Sequence, residues 1–97
     1  MTTSSVICLA GEDNVGVVTA DLRPGVSLRL DDRELPVKDP IPFGHKIALI
    51  PIEEGAEIVK FGVPIGKATL PIKAGEHVHV HNVASAYINN AVDHYEA

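Results

Sequence analysis

Ninety-seven residues leave room for one domain with a small core, and a net charge of −5 from eight Lys and Arg against thirteen Asp and Glu argues against nucleic acid as a partner. Apolar residues at 45% and charged residues at 22% argue against disorder as the main state. No apolar run approaches the ~18 residues of a membrane-spanning helix, and residues 1–11 lack the basic stretch of a signal peptide, so no membrane is expected and the expected location is the cytoplasm.

Eight Gly and seven Pro punctuate the chain too often for long helices, which points to short strands joined by turns. Cys8, the single cysteine, can form no intrachain disulfide and reads as a buried strand thiol among Val6, Ile7 and Leu9. Asp13-Asn14 reads as a local Asx-type turn. Strands are expected at Val15–Thr19, Val26–Leu30, Lys46–Ile50, Glu57–Phe61, Ala68–Ile72 and His77–Val83, each bounded by Gly or Pro. The stretch from Leu30 to Val37 reads as a hairpin, and Pro40 and Pro42 hold residues 38–44 as an extended connector. Pro51, Pro64 and Pro71 belong at strand ends or edges, because proline cannot donate to a ladder.

One turn pattern, aliphatic-x-x-Gly-x-x-aliphatic, recurs at Leu22/Gly25/Leu28, Ile52/Gly55/Ile58 and Ile72/Gly75/Val78. Each copy ends one strand, turns on a glycine of positive φ and starts the next strand. From Val83 to Ala97 there is no Gly or Pro, and Val83, Tyr87, Ala91 and Tyr95 form an i, i+4 stripe. That pattern predicts a short C-terminal helix with Asn82 or Ser85 as its N-cap. It is too short to stand alone and must pack on the barrel or on a partner.

The segment Gly75-Glu-His-Val-His-Val-His-Asn82 carries the chemistry. On a strand, Val78 and Val80 face the core while His77, His79 and His81 share the other face. This is either a solvated face that happens to use histidine or a metal or anion site. Same-face residues are ~6.6–7 Å apart on a strand, so two of these imidazoles plus a ligand from elsewhere reach one ion more easily than all three. A cupin also uses His-x-His, but the Glu it needs three or four residues later is absent here, where Val83, Ala84, Ser85 and Ala86 stand. His45-Lys46, after Gly44 at a strand start, either presents two cations to an acidic ligand or is an ordinary turn and surface charge. Lys60 to Lys67 forms a strand and turn whose two glycines allow close backbone approach, and it lacks the phosphate-loop signature.

Taken in order, Asp13-Asn14-Val15, Ile41-Pro-Phe-Gly-His-Lys-Ile-Ala48, Ile58-Val-Lys-Phe-Gly62 with Ile65-Gly66, and the histidine segment up to Asn82 resemble the SAF domain of the altronate/galactarate dehydratase family. The resemblance covers residues 11–83 and implies a mostly all-β, β-clip fold of the type III antifreeze-like kind. The expected domains are a SAF domain at residues 1–83 and a helical tail at residues 84–97, the tail departing from the family by standing where its linker into the large part would be. The resemblance also implies a small subunit of a sugar-acid dehydratase or sulfolactate-type lyase, working with a large catalytic subunit on a small acidic sugar substrate and inactive alone. The reaction implied is β-elimination, with a divalent metal, Fe²⁺ first and Mn²⁺ or Zn²⁺ as alternatives. His79 and His81 are carried over as catalytic residues and metal ligands. His45, Lys46, Lys60, His77 and Asn82 are carried over as substrate-binding residues. The other readings are a non-catalytic sugar-acid or protein binding module and a stand-alone His-rich metal-binding protein. Self-association of the chain is left open.

Overall fold

The computed structural model describes residues 2–3, 5–7, 11–30 and 33–85, and these residues form an all-β structure. The strands in chain order are β1 (Thr2–Thr3), β2 (Val6–Ile7), β3 (Val15–Val18), β4 (Ser27–Leu30), β5 (Arg33–Pro36), β6 (Lys46–Ala48), β7 (Glu57–Lys60), β8 (Val63–Ala68), β9 (His77–Val78) and β10 (Val83–Ser85). They form three small sheets, ordered β1-β4-β5, β10-β8-β7 and β2-β3-β6-β9. No helix among the described residues is long and apolar enough to cross a membrane.

The turn pattern seen in the sequence governs this architecture, and the structure contains a fourth copy at Ile41/Gly44/Ile47. Gly25, Gly44, Gly55 and Gly75 have φ of 100°, 85°, 87° and 90°, the third position of a type II turn. Each turn closes with the same backbone bond: Val26 N to Arg23 O, His45 N to Pro42 O, Ala56 N to Glu53 O and Glu76 N to Lys73 O. The aliphatic residues opening the turns then pair reciprocally, Leu22 with Ile41 and Ile52 with Ile72. The fold is thus an internal pseudo-duplicate. One core gathers Val18, Leu22, Leu28, Leu35, Val37, Ile41, Ile47 and Leu49. The other gathers Val15, Ala48, Ile52, Ile58, Ala68, Ile72 and Val78. The paired strands β3 and β6 form the wall between them, since neighbours Ile47 and Ala48 enter opposite cores.

Gly75 is the least replaceable of the four. Besides its φ, an added Cβ would land on the carbonyl oxygen of Pro36, and its own carbonyl accepts the Lys38 amide at 2.9 Å. Gly75→Ala is expected to lower stability by roughly 2–4 kcal/mol, read as a drop in the urea midpoint at unchanged slope.

Two strand expectations and one helix boundary are corrected. The run Ala68–Ile72 is not a strand; the strand is β8, Val63–Ala68. Proline and glycine obscured it, yet both are accommodated. The register shift between Ile58 and Val59 lets Val59 pair with Pro64 and Ile58 with Gly66, a bulge that tolerates a proline inside the strand. Pro51 and Pro71 do lie just outside strands, as expected. The run His77–Val83 is broken after Val78 by a turn at residues 79–82. Val78 is fully buried, but Val80 is 72% exposed at the tip of that turn instead of facing the core. Finally, Val83, Ala84 and Ser85 pair with Ala68, Lys67 and Gly66 as β10, so the stretch from Val83 begins as a strand and not as a helix. The rest of the expected helix, residues 86–97, and Cys8 lie outside the described residues.

Candidate functional site

The second and fourth copies of the turn deliver the site. One starts β6 with His45 and Lys46; the other starts β9 with Glu76 and His77. Strands β6 and β9 are antiparallel, with Lys46 opposite Val78 and Ile47 opposite His77, so the position beyond this pair sets His45 against His79. Their rings stack with centroids 4.4 Å apart. The turn that follows is folded by Asn82, which is 5% exposed. Its Oδ1 accepts the His79 amide at 2.9 Å and its Nδ2 donates to the His77 carbonyl at 2.9 Å. By ending the strand at Val78, this turn brings the His79 ring to 5.4 Å from that of His77.

His45, His77 and His79 form the cluster, their ligating nitrogens all within 4.8 Å of one another. His45 Nδ1 and His77 Nε2 share a hydrogen bond of 2.9 Å, which requires a lone pair on one of the two rings. His81 stands outside the trio; its ring is 5.3 Å from that of His77 and it is exposed. The structure therefore joins two imidazoles of the histidine segment with one from elsewhere, the arrangement the strand spacing favours, and the outside partner is His45.

Electrostatics keep His77 and His79 ready to ligate. His77 is lowered to about 4, chiefly by burial, then by the neighbouring His45, His81 and His79, with Asp39 opposing. Burial first, then His45, Lys46 and His81, also lowers His79. Neutral imidazole is the ligating form. Lys46 lies below the usual lysine value, first through burial and then through the charge on Lys60. Lys60 thus acts on Lys46, and Lys46 on His79, so the positive charge of the lysines adjoins the imidazole cluster. Among the described residues neither lysine has a carboxylate partner, the recorded ion pair being Arg29–Glu34.

Two supporting groups were not legible in the sequence. Asp39 Oδ2 accepts the His77 amide at 2.9 Å, fixing the start of β9 from the connector between β5 and β6. Asp13 and Asn14 are not a local turn alone: Asp13 Oδ1 accepts the Gly62 amide at 2.7 Å, and Asn14 Oδ1 accepts the Val59 amide at 2.7 Å while its Nδ2 donates to the Glu57 carbonyl. They brace the hairpin that carries Lys60.

The lowered His77 value predicts acid sensitivity. Between about pH 6.5 and the His77 value of about 4, the unfolded chain binds a proton that the folded chain refuses, so stability falls as pH falls. After allowance for solvent screening, His77 contributes about 1 kcal/mol to this loss. Metal-free His77→Gln is expected to show a correspondingly shallower fall between pH 7 and pH 4.5 in urea titrations.

Three converging imidazoles are a donor set for a borderline divalent cation, and three protein ligands leave a position open for substrate. The residues present thus fit a metal of the Zn²⁺ or Fe²⁺ kind.

The family model "Altronate/galactarate dehydratase SAF domain" matches residues 4–86. Altronate dehydratase from Escherichia coli strain K12 is 44% identical over 72% of this chain, and the match spans 14% of that protein. The Bacillus subtilis strain 168 altronate dehydratase is 46% identical over 80% of this chain and 16% of its own length. The (2R)-sulfolactate sulfo-lyase subunit alpha of Chromohalobacter salexigens is 44% identical over 74% of this chain and 84% of its own length. The chain therefore spans about a seventh of the altronate dehydratases but most of the sulfo-lyase subunit. With a model match over most of its length, the chain belongs to the altronate/galactarate dehydratase SAF domain family.

Proposed function

We propose that this chain is the small SAF-domain subunit of a sugar-acid dehydratase or sulfolactate-type lyase, inactive alone and paired with a large catalytic subunit in the cytoplasm. The observation that carries the reading is the cluster of His45, His77 and His79 beside Lys46 and Lys60, in a domain that makes up most of a sulfo-lyase subunit. The reaction removes the proton α to a carboxylate, forms the C=C bond and expels the β-substituent with its bonding pair. Hydroxide leaves as water after protonation, or sulfonate leaves as sulfite.

The three clustered imidazoles would hold a divalent cation, Fe²⁺ in the first instance. When bound, such a cation binds the substrate carboxylate and stabilises enolate charge. Lys46 and Lys60 would hold a second anionic group of the substrate. His81, exposed beside the His77 ring, would donate the proton to the leaving group, a role suited to imidazole near neutral pH. His79 keeps its carried-over role as ligand, whereas buried Asn82 serves by folding the turn that presents it.

The test is reconstitution. The chain and a dehydratase-type large subunit from an adjacent reading frame are assayed separately and mixed, with altronate, galactarate and sulfolactate. Elimination only in the mixture is expected. Elimination by the chain alone, or a stable inactive complex on all three substrates, contradicts the reading. Tight sugar-acid binding by the isolated chain with no effect on a partner's activity would favour a binding module instead.

A further inference from the structure

We infer that Phe61 is a positioning residue of the anion site, its ring holding the Lys60 ammonium in place for an oxyanion ligand. This rests on the reading of Lys46 and Lys60 as that site. The turn joining β7 to β8 consists of Phe61 and Gly62, with φ of 54° and 78°. A two-residue hairpin with both φ positive is the type I′ turn, which favours Asn-Gly or Asp-Gly. A bulky aromatic there is a strained choice, and Phe61 is the one non-glycine residue of positive φ among the described residues.

The surroundings enforce the strain. Asp13, 8% exposed, accepts the Gly62 amide at 2.7 Å, and Asn14 bonds both Val59 and Glu57. The hairpin is held by its neighbours, and Phe61 is 37% exposed instead of sealed in a core. What the ring does touch is a charge: Lys60 Nζ sits 5.6 Å from its centroid. A carboxylate would hold this lysine by neutralising it. An aromatic face holds it and leaves the charge available. Lys60 is half-buried, has no carboxylate partner among the described residues, and acts electrostatically on Lys46. The matching ligand is a carboxylate or a sulfonate.

The experiment uses the full chain, titrated at pH 7 and low salt with glycolate and, separately, with 2-hydroxyethanesulfonate, both monoanions, followed by amide NMR shifts. Thermal melts accompany each variant. Wild type is expected to saturate, and Lys60→Met to lose affinity about tenfold. Phe61→Asn is expected to weaken binding roughly threefold to fivefold with Tm at or above that of wild type, and Phe61→Tyr to retain wild-type affinity. Wild-type affinity in Phe61→Asn alongside a loss in Lys60→Met overturns the role of Phe61 alone. A large fall in Tm for Phe61→Asn also overturns it, since the ring would then be core packing. Absence of saturable binding by wild type, or no effect of Lys60→Met, overturns the anion site and the inference with it. Whichever probe binds more tightly identifies the oxyanion class.

Discussion

Replacing His77 with alanine is expected to lower the affinity of the chain for Zn²⁺ on the order of a hundredfold or more, while His81→Ala is expected to change it by less than about threefold. The contrast follows from geometry. His77 is the hub of the cluster, bonded to His45 at 2.9 Å and with its ring 5.4 Å from that of His79. His81 shares no place in the trio of converging nitrogens. Structural zinc binding of about 10–16 kcal/mol is divided among a few ligands, so removing one imidazole forfeits several kcal/mol. His77 is half-exposed, so the alanine variant retains its fold and the affinity change is read cleanly. Competition with a chromophoric chelator at pH 7.5 measures it. Equal affinities for wild type and His77→Ala, or collapse in His81→Ala, would return the site to the pair His79 and His81 carried over from the family resemblance.

The second large effect is on stability. Asn82→Ala removes the acceptor of the His79 amide and the donor to the His77 carbonyl at a buried position. Leaving two backbone groups without these partners destabilises by roughly 2–4 kcal/mol. For a domain of this size that is a Tm lower by about 10–25 °C. The turn at residues 79–82 then relaxes, so metal affinity drops together with Tm. A loss below about 1 kcal/mol in urea titrations would show that the turn is held by something other than this side chain.

Much of the scaffold was legible because its glycines act locally. A glycine between two aliphatics three residues to either side signals a type II turn whatever its distant neighbours, and Gly25, Gly55 and Gly75 behave accordingly. Gly44 fits the same pattern but was masked by the prolines around it, which read as a connector. The β8 error has the opposite cause. Pro64 and Gly66 are breakers by local rules, and only the bulge against β7 and the close approach of β10, where an added Cβ on Gly66 would meet the Ala84 carbonyl, explain their presence in a strand.

The site was legible in part for a similar reason. Alternation correctly grouped His77 with His79 and buried Val78. It failed at Val80 because Asn82 reaches back to the strand and turns the chain, a contact that period-two reasoning does not contain. His45 came to the cluster through pairing of β6 with β9, and Asp39 through a hydrogen bond to the His77 amide. Both depend on long-range register, not on any neighbouring residue. The strand spacing nonetheless favoured a ligand from elsewhere over a third from the same strand.

The central claim is that His45, His77 and His79 form one cation site in this SAF domain. It is tested most directly by titrating the ¹⁵N-labelled chain with Zn²⁺ and following the imidazole nitrogens by NMR. The structure predicts saturation at one ion per chain, with metal-induced shifts on one nitrogen each of His45, His77 and His79 and none of comparable size on His81. Shifts confined to His79 and His81, or no saturable uptake at all, would contradict it.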